Sequence, residues 1–387
     1  MENKIKLTFL AGVQVDNEIY FSAWNMNGLF KYNPQTGRCK FLKIFTDEQN
    51  IGIHSEAILY KNTIWFIPRA SERITIVNLS NMNFTYLELP EYGHRPEGHI
   101  PPIRMKGYYK KEERFLWLIP YAYKLFIKID MDKREIVSVE EWCQEGYAIS
   151  IGVWIQNKLW IYVNSCNELR IIDTVSGKQT RQKMGDKNVS YVGIQKVEEW
   201  ILLFPRWLKD GVILLNYNTG ETKTIKLESD EQWYYEYQTL IKEGNILLIP
   251  YMGNKQVCIN IKEGNCIMKE SKKLKIQENV YCVAKLVYND EIWFLPIVEE
   301  NPIICYAEQE DTIRYYIINI TQEKYNEDVI ECITKYKIEN SPLAYGYMLM
   351  EKKGVLNLFI KYKYKQNINK IALVESRIGQ SIYQSII

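Results

Sequence analysis

Five times along this chain an apolar, aromatic-rich run of strand character closes on a proline. The runs are Ile64-Trp65-Phe66-Ile67-Pro68, Leu116-Trp117-Leu118-Ile119-Pro120, Ile201-Leu202-Leu203-Phe204-Pro205, Ile246-Leu247-Leu248-Ile249-Pro250 and Ile292-Trp293-Phe294-Leu295-Pro296. Three further runs, Ile19 to Ala23, Leu159 to Val163 and, more weakly, Leu356 to Ile360, share the character without the proline. The closing residues stand at 23, 68, 120, 163, 205, 250, 296 and 360, so the steps are 45, 52, 43, 42, 45, 46 and 64. A strand unit recurring every forty-odd residues narrows the fold sharply, because such units bury their faces only by stacking on one another.

Each repeat holds more than its marker run, which we label strand B. About 14 to 16 residues earlier lies a β-branched and aromatic segment, strand A: Ser55 to Tyr60, Ala148 to Ile155, Tyr191 to Val197 and Tyr281 to Tyr288. Strand C follows B at Leu29 to Tyr32, Ile74 to Leu79, Phe126 to Asp130, Leu169 to Asp173, Val212 to Tyr217, Val257 to Ile261 and Arg314 to Asn319. It runs into an Asx-to-Gly turn at 33–37, 173–177, 216–220 and 260–264, where the Asx side chain bonds the backbone and glycine takes positive φ. An outer strand D comes next, as at Cys39 to Ile44 and Phe84 to Leu89. Proline at the end of strand B marks where pairing stops. The neighbouring Trp65, Trp117, Trp160 and Trp293 are expected to fill the wedges between repeats.

The pattern predicts an all-β, eight-bladed β-propeller of four-stranded antiparallel blades, with seven blades as the alternative if the weak last repeat is only a closing segment. A single domain over 1–387 is expected, with approximate blades 8–45, 52–89, 103–142, 147–182, 190–228, 233–272, 279–338 and 343–387. Either Ile5 to Phe9 or Ser381 to Ile386 is expected to supply the outer strand of the last blade and so close the ring. The chain resembles the β-propeller superfold in the broad style of quinoprotein-like and kelch-like repeats. The Gly-Gly pair of kelch blades, the Trp-Asp dipeptide of WD40 blades and the Asp box of sialidases are missing, so no named family's function is implied.

Lys plus Arg (49) nearly balances Asp plus Glu (47), a formal charge of +2, which argues against a dedicated nucleic-acid binder. The alternation Lys361-Tyr362-Lys363-Tyr364-Lys365 reads as an exposed strand edge guarded by lysine rather than a track for a single strand. No run approaches the roughly 18 apolar residues of a membrane span, and the first twelve residues read as a strand rather than a signal peptide. Eight cysteines are spread over different repeats without a CxxC pair, which fits thiols in a reducing cytoplasm and not a zinc site. A cytoplasmic monomer without metal or cofactor is expected.

In a propeller the B–C and D–A loops emerge on one face around the axis. Two long insertions, 90–102 between the second and third repeats and 299–312 between strands B and C of the seventh, are placed on that face by this reading. The residues directly after the markers are Trp24, Arg69, Tyr121, Asn164, Arg206, Tyr251, Ile297 and Lys361, five of them aromatic or arginine, types enriched at binding hot spots. A second series falls near the start of strand A: His54, Tyr147, Tyr191, Tyr235, Tyr281 and Tyr345. Together they predict a tyrosine-lined bowl with guanidinium groups, including Arg73 or Arg104. Its rings stack on sugars or peptide side chains, and its arginines grip a carboxylate or phosphate. The competing reading makes each tyrosine a filler between blades.

The three histidines, His54, His94 and His99, form no metal-binding spacing, and neither a G-x-S-x-G elbow nor a Gly-rich phosphate loop is present. Glu56, Glu236, Glu299 and Glu300 are the acid–base candidates near the mouth. The sequence therefore points to a non-catalytic recognition module binding a peptide, a partner protein or an anionic glycan-like ligand. The alternative is a propeller enzyme, a hydrolase or lyase, acting on carbohydrate or a small acid.

Overall fold

A computed structural model describes residues 4–24, 27–45, 52–69, 71–90, 105–110, 113–121, 124–142, 150–184, 189–226, 237–242, 245–250, 255–270, 282–296, 302–307 and 312–321. The chain divides into two compact units, residues 1–337 and 338–387, and all described residues lie in the first.

Among the described residues, seven four-stranded antiparallel sheets follow one another, each ordered A-B-C-D. Their A and B strands are Phe9–Val15 and Glu18–Ala23, His54–Tyr60 and Thr63–Pro68, Met105–Tyr109 and Phe115–Pro120, Ser150–Ile155 and Lys158–Val163, Tyr191–Val197 and Trp200–Pro205, Tyr237–Lys242 and Asn245–Pro250, and Cys282–Tyr288 and Glu291–Pro296. Their C and D strands are Leu29–Asn33 and Arg38–Lys43, Arg73–Asn78 and Phe84–Glu88, Leu125–Asp130 and Glu135–Glu141, Glu168–Asp173 and Gln179–Lys183, Val212–Asn216 and Thr222–Ile225, Lys255–Asn260 and Asn265–Glu270, and Ile303–Ala307 and Thr312–Tyr316. Neighbouring blades touch through their A strands at six of the seven joins, the seventh blade meeting the first, and at the third-to-fourth join strand A of the fourth blade meets strand B of the third, so the A strands line the inner ring of a β-propeller.

The sequence expectation of eight blades is corrected to seven. Leu286, Trp293, Leu295 and Cys305 of the seventh blade share one core with Phe9, Phe21, Phe30 and Tyr32 of the first, leaving no opening for an eighth. The proposed eighth repeat, 343–387, lies outside the described residues, as does Ser381 to Ile386. Closure also differs from expectation. Lys4–Leu7 pairs with Ile318–Thr321 as a separate two-stranded ribbon, in register Lys4 to Thr321 through Leu7 to Ile318, not as the outer strand of a blade. Gln14 and Asn289 add a reciprocal pair of hydrogen bonds across the same join, 2.6 and 3.0 Å.

The seventh blade brings a second correction. Its strand C is Ile303–Ala307, not 314–319, so strands B and C are joined by 297–302 and no long insertion stands there. The long spacing of this repeat reads as an insertion at 299–312, whereas 303–307 is a buried strand of the blade. By contrast, the insertion after the second blade falls between strands D and A as expected, with Glu88 and Met105 as its nearest strand residues.

Burial follows from the stacking. Strand B is covered on both faces by its own and adjacent blades, so 64–68, 116–120, 159–163 and 200–205 are buried throughout. Strand D has water on one side and alternates, as in Glu135–Glu141. The apolar clusters are the seams themselves: Trp65 fills the second-to-third seam, Trp117 the third-to-fourth, Trp160 the fourth-to-fifth and Trp293 the seventh-to-first. The prolines behave as their chemistry demands. Pro68 faces His54 of strand A, whereas pairing with strand C ends two residues earlier at Phe66 and Thr75.

The C–D turns form as the Asx-to-Gly pattern predicts. Asp173 Oδ1 accepts from the amides of Val175 and Ser176 at 3.1 and 2.9 Å, and Asn216 Oδ1 does the same for Asn218 and Thr219 at 3.0 and 3.1 Å. Gly177 and Gly220 close these turns at φ of 73° and 78°, where a Cβ would be strained.

Candidate functional site

One backbone device recurs on the face that carries the B–C and D–A loops. The residue after strand B donates its amide to the carbonyl of the residue before strand A: Trp24 to Thr8 at 2.6 Å, Arg69 to Ile53 at 2.7 Å and Arg206 to Ser190 at 2.6 Å. This clamp sets the three side chains at equivalent stations of the first, second and fifth blades. The environments at those stations differ.

At the second blade the station is sealed, with the half-buried Trp24 of the first blade as part of its cover. The guanidinium of Arg69, 3 % exposed, lies 3.9 Å from the ring centroid of Trp24. Gly52, at φ of 59°, packs on the same indole so closely that a Cβ there would stand 3.0 Å from it. Beneath them His54 is buried, its Nδ1 2.8 Å from Ser22 Oγ of the first blade and its Nε2 3.3 Å from Thr75 Oγ1 of its own. Phe45 and Phe66 enclose the ring at 4.9 and 5.0 Å. Burial holds the imidazole pKa down at about 3, so it stays neutral. His54 thus ties two blades together.

Moving round, Tyr121 is half-buried at the third blade, with Lys106 Nζ 4.9 Å from its ring centroid. Glu56 reaches from the second blade to accept the Gly107 amide of the third at 2.7 Å. Burial raises its pKa while Lys106 and that amide oppose the rise. Tyr108 continues the pattern, its hydroxyl accepting the Gly152 amide of the fourth blade at 2.8 Å, and burial pushes this phenol upward. Both side chains satisfy inner-edge amides of the next blade.

At the fourth blade Asn164 donates through Nδ2 to Ser190 Oγ at 2.7 Å, joining two adjacent loops. Tyr191 is 2 % exposed and packs edge-on against Tyr162, in the seam rather than in the mouth. At the fifth blade Arg206 is half-buried, and Trp207 beside it is 37 % exposed, followed by the 3₁₀ turn Leu208–Asp210. Sequence reading missed Trp207, although the Arg-Trp pair immediately after Pro205 was the available signal. Arg73 turns outward, over Tyr86 and 3.4 Å from Glu88.

Tyr147, Tyr235, Tyr251, Tyr281 and Tyr345 lie outside the described residues, as do Arg104, His94, His99, Glu236, Glu299, Glu300, Ile297 and Lys361. Among the described residues no three His, Cys, Asp or Glu side chains gather in a way that would hold a metal ion. Burial pushes the thiols of Cys39, Cys266 and Cys305 up to about 12, far from nucleophilic use. No helix among the described residues is long and apolar enough to cross a membrane.

No protein-family model and no curated protein matches the sequence. Solved structures resemble it as propellers. A catalytically inactive virginiamycin B lyase from Staphylococcus aureus with quinupristin is 14% identical over 77% of this chain and 96% of its own, with a TM-score of 0.56. A streptogramin B lyase is 16% identical over 77% and 94%, with a TM-score of 0.54. BamB from Moraxella catarrhalis is 11% identical over 81% and 85%, with a TM-score of 0.52. The chain is a β-propeller. Proteins of such different kinds share the fold at this identity, so the function of this propeller is argued from its own residues.

Proposed function

We propose that this propeller is a non-catalytic recognition module that binds an acidic peptide, an acidic patch of a partner protein or an anionic glycan-like ligand on its B–C and D–A loop face. The observation that carries the reading is the Arg206-Trp207 pair: a clamped backbone presents a half-buried guanidinium beside an exposed indole. Arginine grips carboxylate or sulfate oxygens in a fork, and an indole covers a sugar or peptide face at little conformational cost. Tyr121 with Lys106 offers a second aromatic and cationic pair on the same face. The two described side chains best suited to acid–base chemistry, His54 and Glu56, are engaged in holding blades together, which favours binding over turnover.

Titration calorimetry with two probes, a polyglutamate peptide and a sulfated heparin-type hexasaccharide, tests this. One of them should bind saturably, and Arg206→Ala or Trp207→Ala should weaken it about tenfold or more while moving the unfolding midpoint little. Absence of saturable binding of either probe, or equal affinity in both variants, overturns the reading.

A further inference from the structure

The seam between the third and fourth blades contains a charge that its apolar packing does not answer. Arg170 lies in strand C of the fourth blade, opposite Ile161 of strand B and Arg181 of strand D, and is 4 % exposed. Its guanidinium rests on Trp142 of the third blade, 4.6 Å from the ring centroid. Trp142 in turn stacks on Phe126 at 4.2 Å, and Phe126 on Trp117 at 5.7 Å. This aromatic shelf fixes the plane of the guanidinium.

Only one of its three nitrogens has acceptors. Nη2 reaches the Trp142 carbonyl at 3.4 Å and Glu168 Oε2 at 3.5 Å, both long for charged partners. Nε and Nη1 are buried with no acceptor, and so are the indole Nε1–H donors of Trp117 and Trp154 among the aromatic residues of the same seam. A guanidinium stays protonated, so this positive charge cannot be relieved by titration. A buried charged donor without an acceptor is costly, and an incoming anion would remove that cost.

We propose that Arg170 is an anion site in this seam, taking a small monovalent anion: a halide or a carboxylate group. The inference is independent of the loop-face reading, since neither Arg206 nor Trp207 takes part. Glu168, 19% exposed through its side chain, is the competitor for the same charge.

Chloride NMR linewidth measured against added protein is the test, with acetate as competitor. The wild type should broaden the line saturably, and Arg170→Met should abolish the effect. Glu168→Gln should tighten chloride binding roughly threefold or more by removing the competing carboxylate, a gain that a purely structural arginine would not give. Displacement by acetate supports the site for both anion types, and failure to displace, with the Arg170 dependence intact, supports it in its halide form. If circular dichroism shows Arg170→Met unfolded, Arg170→Lys replaces it, with binding expected to fall roughly tenfold because the planar fork is lost. Broadening equal in the wild type and the variant read in this way, or a Glu168→Gln variant that binds no better, overturns the proposal.

Discussion

Arg69 and Arg206 occupy the same station of their blades, held by the same amide-to-carbonyl clamp, yet they sit in opposite surroundings. Arg69 is 3 % exposed and sealed against Trp24, above a buried histidine that joins two blades. Arg206 is half-buried beside an exposed tryptophan. The station fixes where a side chain begins, and its neighbours decide whether it serves the seam or the solvent. Equivalent position in a repeat is therefore a guide to geometry and not to role.

The seam side of this contrast should give the largest effects. Gly152 stands where a Cβ would lie 3.1 Å from two atoms of the Tyr108 ring, itself held by the Gly152 amide. Gly152→Val is expected to lower stability by about 3 kcal/mol in urea unfolding, because the ring cannot retreat without breaking that bond. An unchanged midpoint would mean that the inner strands are not packed as described. Next, Arg69→Ala should cost about 2–3 kcal/mol through lost packing and the lost cation–π stack. A cost near zero would place Arg69 with Arg206.

Acidification probes the histidine below. Its folded pKa is about 3, below the ordinary 6.5, so between these values the unfolded chain binds a proton that the native state refuses. Stability from this residue is thus complete above pH 6.5 and falls as pH drops toward 3, by about 1.4 kcal/mol per pH unit at most. His54→Gln should show a correspondingly shallower fall over that window in parallel urea titrations. Equal slopes would place the imidazole in contact with water.

The seam was largely legible in the sequence, and the mouth only partly. Strand B announced itself because burial on both faces demands a continuous apolar run, and Trp65, Trp117, Trp160 and Trp293 stand in the seams where their spacing placed them. The blade number was misread because a weak run at 356–360 resembles strand B locally, whereas ring closure depends on long-range contacts such as those of Phe9 and Trp293. His54 and Arg69 looked like mouth residues because position alone carries no record of Phe45, Phe66 or Trp24 closing over them. Arg170 was silent for a similar reason: nothing in its strand, ELRIID, tells which ring lies against it, and only the neighbouring blade brings Trp142 there.

At the small end of the scale, Arg206→Ala should cost less stability than Arg69→Ala, about 1 kcal/mol or less, because Arg206 is half-buried where Arg69 is sealed. The decisive measurement pairs two readings on two variants: urea midpoint and affinity for the polyglutamate or heparin-type probe, in Arg69→Ala and Arg206→Ala. The account predicts that Arg69→Ala loses stability and that Arg206→Ala keeps most of its stability but loses affinity. The reverse pattern, or an Arg206→Ala variant that binds as the wild type does, would contradict it.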